Sequence, residues 1–179
     1  MNKPQVAAIS CQDMYGGIGL ANGDLPWGKH KKDMAFFRQT TQNSICIMGR
    51  NTYNNLAKRV KADEPLLKNR ICIVVTSDPG LHILPYTDTY SVDSVECAYN
   101  VAQGALVTSR WNNIFFIGGR RIYEECAQYC DTRYSNIIFK NYNADIFFPH
   151  DAYKDFKYKE ATVLSDDLAS SIYIKDKNG

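Results

Sequence analysis

The chain has 179 residues, 45% of them hydrophobic and 22% charged, a balance that excludes disordered, collagenous, coiled-coil and low-complexity architectures. Its 21 basic and 19 acidic residues leave a formal charge of +2, so there is no general pull toward nucleic acid or an anionic membrane, and any phosphate affinity must be local. The longest apolar run, Ile71 to Val75, is far shorter than the roughly 20 residues a membrane helix needs. In chain order, short apolar runs stand at Val6–Ile9, Ile45–Met48, Ile71–Val75, Ile114–Ile117 and Ile137–Phe139. None alternates with polar residues, the pattern of strands buried on both faces of a mostly parallel sheet. Between them the spacing predicts helices: Lys29–Thr40, with Met34 and Phe37 on one stripe; Asn51–Lys58 after a Gly-Arg turn; one capped by Ser91, starting near Val92 and passing Tyr99; and Arg120–Tyr129 after a Gly-Gly pair. Toward the end, Phe156–Lys159 and Ile172–Ile174, separated by a polar turn region containing Asp166, Asp167, Ser170 and Ser171, read as an antiparallel hairpin at one sheet edge. Strand and helix in alternation give an α/β fold, and the length gives one domain over 1–179. Turn chemistry marks Asn22-Gly23-Asp24, Asp78-Pro79-Gly80 and Lys177-Asn178-Gly179.

The first ten residues hold no extended hydrophobic stretch, so a cytoplasmic protein without a signal peptide is expected. Cys11, Cys46, Cys72, Cys97, Cys126 and Cys130 form no CxxC pair and read as buried free thiols. His30, His82 and His150 are scattered without zinc-ligand spacing, and no metal is expected.

Five stretches can carry chemistry. Met14 to Trp27, with four glycines ahead of Leu25-Pro26-Trp27, reads either as a mobile surface loop with Trp27 plugged into the core or as a hinged lid over a flat ligand. Asp33 shares a helical face with Met34 and Phe37. It is either a first-turn acid paired with Lys29 or a carboxylate reserved for two adjacent N–H donors of a ligand. Ile117-Gly118-Gly119-Arg120-Arg121-Ile122-Tyr123 passes from strand to helix, where free backbone N–H groups suit a pyrophosphate; a tight turn with two solvated arginines is the plainer reading. Met48-Gly49-Arg50-Asn51-Thr52 repeats that logic, and Thr76 and Ser77 add hydroxyls at another strand end, so a dinucleotide can lie across the sheet. Arg70, just before the Ile71 strand, is either a solvated charge or a fork for a ligand carboxylate, with Leu67 as apolar neighbour.

In this order and spacing the chain resembles dihydrofolate reductase. The resemblance rests on Ala8-Ile9-Ser10, Gly17-Ile18-Gly19, Asn22-Gly23-Asp24-Leu25-Pro26-Trp27, Asp33 through Phe37, Ile47 through Thr52, Arg70, Ile117-Gly118-Gly119, Tyr123, Asp145-Ile146-Phe147-Phe148-Pro149 and Val163-Leu164-Ser165-Asp166. Each piece alone is unspecific, but Asn-Gly-Asp-Leu-Pro-Trp followed six residues later by an acid is specific, and the likeness covers nearly the whole chain. It implies an eight-stranded, mostly parallel sheet with flanking helices, and reduction of 7,8-dihydrofolate to tetrahydrofolate by NADPH, in a monomer.

Carried onto this chain, Asp33 holds the pterin's amino and ring N–H edge and promotes protonation of the pterin nitrogen, through water or a tautomer. Leu25 and Trp27 complete the catalytic set, Trp27 through an ordered water. Ala8, Met34, Phe37, Leu67 and Asn136 line the substrate site, and Arg70 pairs with the glutamate tail. Ala8, Ile18, Gly19 and Tyr123 flank the nicotinamide. Thr52 and the turn of Ile117, Gly118, Gly119, Arg120, Arg121 and Ile122 meet the pyrophosphate. Arg50, Asn51, Thr76 and Ser77 belong to the cofactor site, with Arg50 and Ser77 on the 2′-phosphate. The peptide between Gly118 and Gly119 is expected to be cis. The chain departs from the family in extra residues around Tyr15 and Gly16, in Asn136 where a threonine is usual, and in a C-terminal hairpin expected to be short. A reductase of the same fold acting on a ribosylated pyrimidine, and a binding module without turnover, are the alternatives. Asp33 beside Trp27, together with Arg70, favours folate.

Overall fold

The structure is a computed structural model that describes residues 3–61, 63–78, 88–108 and 110–177. The elements run β1 Val6–Asp13, β2 Gly17–Gly19, α1 Lys31–Thr40, β3 Ile45–Gly49, α2 Arg50–Ala57, β4 Ile71–Val75, β5 Thr89–Val92, α3 Val95–Thr108, β6 Ile114–Phe116, α4 Arg120–Cys126, β7 Thr132–Ile138, β8 Ile146–Phe147, a single 3-10 turn His150–Tyr153, β9 Phe156–Ser165 and β10 Leu168–Lys175. Eight strands form one sheet in the order β5-β4-β3-β6-β1-β7-β10-β9. The first six are parallel, and β10 and β9 close one edge antiparallel. The expected α/β architecture with a mostly parallel eight-stranded sheet and an antiparallel C-terminal edge is therefore present.

The uninterrupted apolar runs sort residue by residue onto two faces, because successive strand side chains point opposite ways. Ile45, Ile47, Ile73, Val75, Ile114 and Phe116 turn to one face, where residues of α3 and α4 cover them. Cys46 and Phe115, with Ala7 and Ile9, turn to the other, beneath Phe36 and Phe37 of α1. Met48, Cys72 and Val74 lie on that same face, beneath Tyr53 and Leu56 of α2. Both faces are dry, which is why these strands carry no polar alternation.

Four sequence expectations are corrected. Ser91 lies inside strand β5 and caps nothing; Ser94 does, its Oγ accepting from the Cys97 N–H at 3.2 Å, and α3 starts at Val95. The strand read at Ile137–Phe139 begins at Thr132 and ends at Ile138, because its polar first half is buried through its own contacts. The C-terminal hairpin is long, not short: β9 has 10 residues and β10 has 8, and the turn is only Asp166-Asp167, with Ser170 and Ser171 inside β10. Helix α1 starts at Lys31 rather than Lys29, because the His30 ring accepts from the Asp33 N–H and serves as the cap. Turn residues 79, 80, 178 and 179, and His82, lie outside the described residues. The six cysteines are free, four of them buried and Cys11 and Cys97 half-buried. Among the described residues no group of His, Cys, Asp or Glu is arranged to hold a metal, and no helix is long and apolar enough to cross a membrane.

Candidate active site

The C-terminal ends of the parallel strands are where ligand crevices form in open α/β sheets. Here β1, β3, β4 and β6 all end at one rim. Two backbone hydrogen bonds fasten that rim: the Gly49 N–H donates to the Gly118 carbonyl at 2.8 Å, and the Ile117 N–H to the Ile47 carbonyl at 2.9 Å. The two strand-to-helix junctions singled out in the sequence are thus neighbours. The Gly118–Gly119 peptide is cis, as the resemblance implies, and Gly118 has φ +107°. A Cβ at Gly118 would stand 2.9 Å from the Tyr123 hydroxyl, so only glycine fits there. Tyr123 in turn donates to the Ile9 carbonyl at 2.8 Å, tying α4 to β1. Burial pushes its phenol pKa up and keeps it neutral.

Asp33 stands in the first turn of α1, half-buried. Its partner is Asn136, not Lys29: the Asn136 amide on β7 donates to Asp33 Oδ1 at 2.8 Å. Asn136 is 2% exposed, and its own Oδ1 has no hydrogen-bond partner among the described residues, a buried polar cost of the kind found where side chains are held for function. Cys11, registered opposite Asn136, completes the cluster. Its thiol pKa is raised by burial first, then by the Asp33 charge and a hydrogen bond to Asp33, so it stays a neutral donor beside the carboxylate. Met34 and Phe37 continue the half-buried stripe of α1, and Leu67 packs between it and the α2 side.

Arg70 is 5% exposed, which overturns its reading as a solvated charge. Its Nε donates to Thr41 Oγ1 at 2.8 Å, and its two terminal nitrogens to the Lys68 and Arg38 carbonyls, each at 2.5 Å. Burial lowers its pKa, but these partners hold a planar guanidinium with N–H groups to spare.

The glycine-rich segment is not a free loop. Asp13, 2% exposed, accepts backbone N–H groups from Tyr15 at 2.9 Å, Gly17 at 2.8 Å and Tyr142 at 3.1 Å. Strand β2 pairs with β8, Asp145 accepts the Ala21 N–H at 2.7 Å, and the Asn55 side chain of α2 donates to the Gly23 carbonyl. Trp27 is half-buried, edge-on to Tyr142 with ring centroids 6.1 Å apart, rather than plugged into the core. Leu25 is 37% exposed at the same bend, and Ile18 packs on the core face beside Ala8, which is itself wholly buried in the floor.

On the junction side, Gly49 and Gly119 are the N-cap residues of α2 and α4, and neither helix start has a side-chain cap. Thr52 and Thr76 are half-buried, and Asn51 and Ser77 exposed, around the same rim. Ile122 sits behind it, a Cβ at Gly49 coming within 3.2 Å of its side chain, whereas Gly19 lies on β2 against Ile146 of β8. The two arginines of the turn are engaged locally. Arg120 donates to the Phe147 carbonyl at 2.8 Å and Arg121 pairs with Glu125 at 2.5 Å. Arg50 forms an ion pair with Asp78. Sequence reasoning missed Asp78, Asp13, His30 and Cys11. Only Asp13 carried a signal, an acid that ends a buried strand immediately before a glycine turn.

Three comparisons bear on this geometry. A family model described as dihydrofolate reductase matches residues 5–175. Dihydrofolate reductase type A10 of Escherichia coli is 31% identical over 157 residues, covering 84% of this chain and 78% of its own, and the dihydrofolate reductase of Ureaplasma parvum is 30% identical over 158 residues, covering 88% and 90%. The structure of dihydrofolate reductase from Enterococcus faecalis complexed with NADP(H) and RAB-propyl superposes with a TM-score of 0.80 at 25% identity, covering 97% of both chains. The chain belongs to the dihydrofolate reductase family.

Proposed function

We infer that this chain reduces 7,8-dihydrofolate to 5,6,7,8-tetrahydrofolate with NADPH, and that Asp33 is the group that orients and polarises the pterin. One observation carries the reading: a single carboxylate, fixed by the Asn136 amide at 2.8 Å, on the half-buried stripe that also bears Met34 and Phe37. A carboxylate can accept two adjacent N–H groups of an amidine-like ring edge at once, which sets the ring's orientation and pulls positive charge toward it. Met34, Phe37 and Leu67 supply apolar walls, and Arg70 presents its remaining donors to a carboxylate on the substrate's far end.

The reaction adds a hydride to the ring carbon and a proton to the neighbouring nitrogen, and leaves the nicotinamide oxidised. NADPH supplies the hydride when bound. The residues at the junctions fit that group: two uncapped helix starts, the hydroxyls of Thr52, Thr76 and Ser77, the guanidinium of Arg50, and open space where a Cβ at Gly119 would point. Ile18 and Gly19 are the surfaces offered to the nicotinamide end, with the buried Ala8 and Tyr123 in the core on which Ile18 packs, and the backbone from Ile117 to Ile122, with Asn51 nearby, is offered to the phosphates. The protein's contribution is alignment and exclusion of water. The segment carrying Leu25 and Trp27 controls how water reaches the nitrogen that is protonated.

Following absorbance at 340 nm with dihydrofolate and NADPH tests the reading. Loss of absorbance that requires both compounds is expected. A related reductase acting on a ribosylated pyrimidine would leave dihydrofolate untouched, and a binding module would bind without turnover; either result overturns the reading.

A further inference from the structure

The ion pair between Arg50 and Asp78 is the feature of the rim that the reaction leaves unexplained. Arg50 opens α2 directly after β3, and Asp78 follows β4. These strands are parallel neighbours, with Gly49 registered opposite Val75, so the two side chains leave adjacent strand ends toward the same point. Both face solvent, at 41% and 45% side-chain exposure. The Asp78 N–H donates to Thr76 Oγ1 at 3.2 Å, which fixes where the aspartate stands.

We propose that Asp78 sets the cofactor preference of this enzyme, by placing a carboxylate on Arg50 at the point where the 2′-phosphate of NADPH must dock. The inference rests on the NADPH reading above and on Arg50 as the phosphate contact. A phosphate monoester carries close to two negative charges at neutral pH. To reach Arg50 it must displace or share with a carboxylate already there. Displacement is easy, because a solvent-facing ion pair is weak. The cost that persists is the like charge: even when displaced, Asp78 stays near the phosphate, because its chain leaves the strand end next to the one that carries Arg50. The same carboxylate is an acceptor for a ribose hydroxyl, the interaction by which acidic residues favour NADH. Arg50 and Asp78 therefore pull in opposite directions, and the enzyme discriminates between the two cofactors less than Arg50 alone would allow.

The test is calorimetric binding of NADP+ and NAD+ to the whole protein, alongside turnover with NADPH and NADH. Asp78→Asn should raise the ratio of NADP+ to NAD+ affinity roughly three- to tenfold, mostly by tightening NADP+, and the gain should shrink as salt is raised from 50 to 500 mM, on the order of a threefold shorter screening length. A ratio that is unchanged, or that falls because Asp78 was holding Arg50 in place, overturns the proposal. Arg50→Ala separates this from the underlying reading. If that change leaves the ratio alone, Arg50 is not the phosphate contact. If it collapses the ratio while Asp78→Asn does nothing, only the role of Asp78 falls.

Discussion

Asp33 reaches its place through a sequence of small causes. The His30 ring accepts the Asp33 N–H, so the helix starts where it does, and the ring's other nitrogen meets Asp167 in the β9–β10 turn at 3.0 Å. Asn136 then fixes one carboxylate oxygen. Asp33→Asn keeps the shape but replaces an acceptor by an amide, so the hydride step should fall by about two to four orders of magnitude near pH 7, the range typical of acid–base groups, with partial recovery as pH is lowered. Single-turnover rates at pH 7 close to those of the unmodified protein would remove Asp33 from the chemistry. Arg133 makes a different residue-scale argument. It is buried at 6% exposure with no carboxylate partner among the described residues; its guanidinium lies 4.1 Å over Phe148, 5.0 Å over Tyr173 and 5.4 Å over Tyr153, and its Nε is unpartnered. Burial lowers its pKa, and burial together with the Arg133 charge lowers that of the nearby His150. A histidine with a depressed folded pKa favours folding fully above its unfolded value of 6.5 and loses that contribution as pH falls below it. Arg133→Met should therefore raise the melting temperature, by about 1–2 kcal/mol in stability terms, and flatten the loss of stability between pH 7 and 5. A lower melting temperature at every pH would show that the three rings outweigh the desolvation of the charge.

At the scale of elements, the segment between β1 and α1 depends on one side chain. Asp13 ends β1 and gathers three backbone N–H groups, and β2 is thereby delivered to β8. Asp13→Ala leaves those donors without their acceptor, and a buried unpaired donor costs about 1–3 kcal/mol. Loss of about 3 kcal/mol in denaturant unfolding is expected, with faster hydrogen exchange confined to residues 14–24 and 141–148. Uniform exchange across the sheet would mean that Asp13 supports the fold generally rather than this segment. The elements also show what was legible in the sequence. β3, β4 and β6 were readable because both their faces are covered, which selects unbroken Ile, Val and Phe. Of β7 only the apolar end at Ile137 and Ile138 was, because Arg133, Ser135 and Asn136 are buried by particular partners: aromatic rings, the Gln12 side chain at 3.0 Å, and Asp33. Propensity carries no record of such pairings. Strand β5 was missed for the opposite reason. It is an edge strand with Tyr90 and Ser91 exposed, so nothing selects an apolar run, and Ser91 resembled a cap equally with the true one three residues on.

For the molecule as a whole, the rim is assembled from segments far apart in the chain: Ala8 and Cys11 on β1, Asp33 on α1, Gly49 and Arg50 after β3, Thr76 and Asp78 after β4, Gly118 after β6 and Asn136 on β7. No local pattern announces their meeting. The sheet order brings them together, and the sequence disclosed it only through a resemblance spread over the whole chain. Of the departures that the resemblance marked, Asn136 is the one that meets Asp33, whereas the pairing of Asp78 with Arg50 lay outside the resemblance altogether. A site built from so many strand ends also makes binding and folding one equilibrium, because a ligand that bridges the junctions after β3, β4 and β6 stabilises only the folded state. At a hundredfold excess over its dissociation constant, NADPH should add about 2.7 kcal/mol, which for a chain of this length is a rise of roughly 5–10 °C in melting temperature. NADH at the same concentration should raise it less. Arg50→Ala should bring the NADPH shift down toward that of NADH, while leaving the shift produced by dihydrofolate in place. If instead Arg50→Ala lowered the NADPH and NADH shifts equally, the guanidinium would act on a part common to both dinucleotides, and the 2′-phosphate would have to be held by the hydroxyls of Thr76 and Ser77.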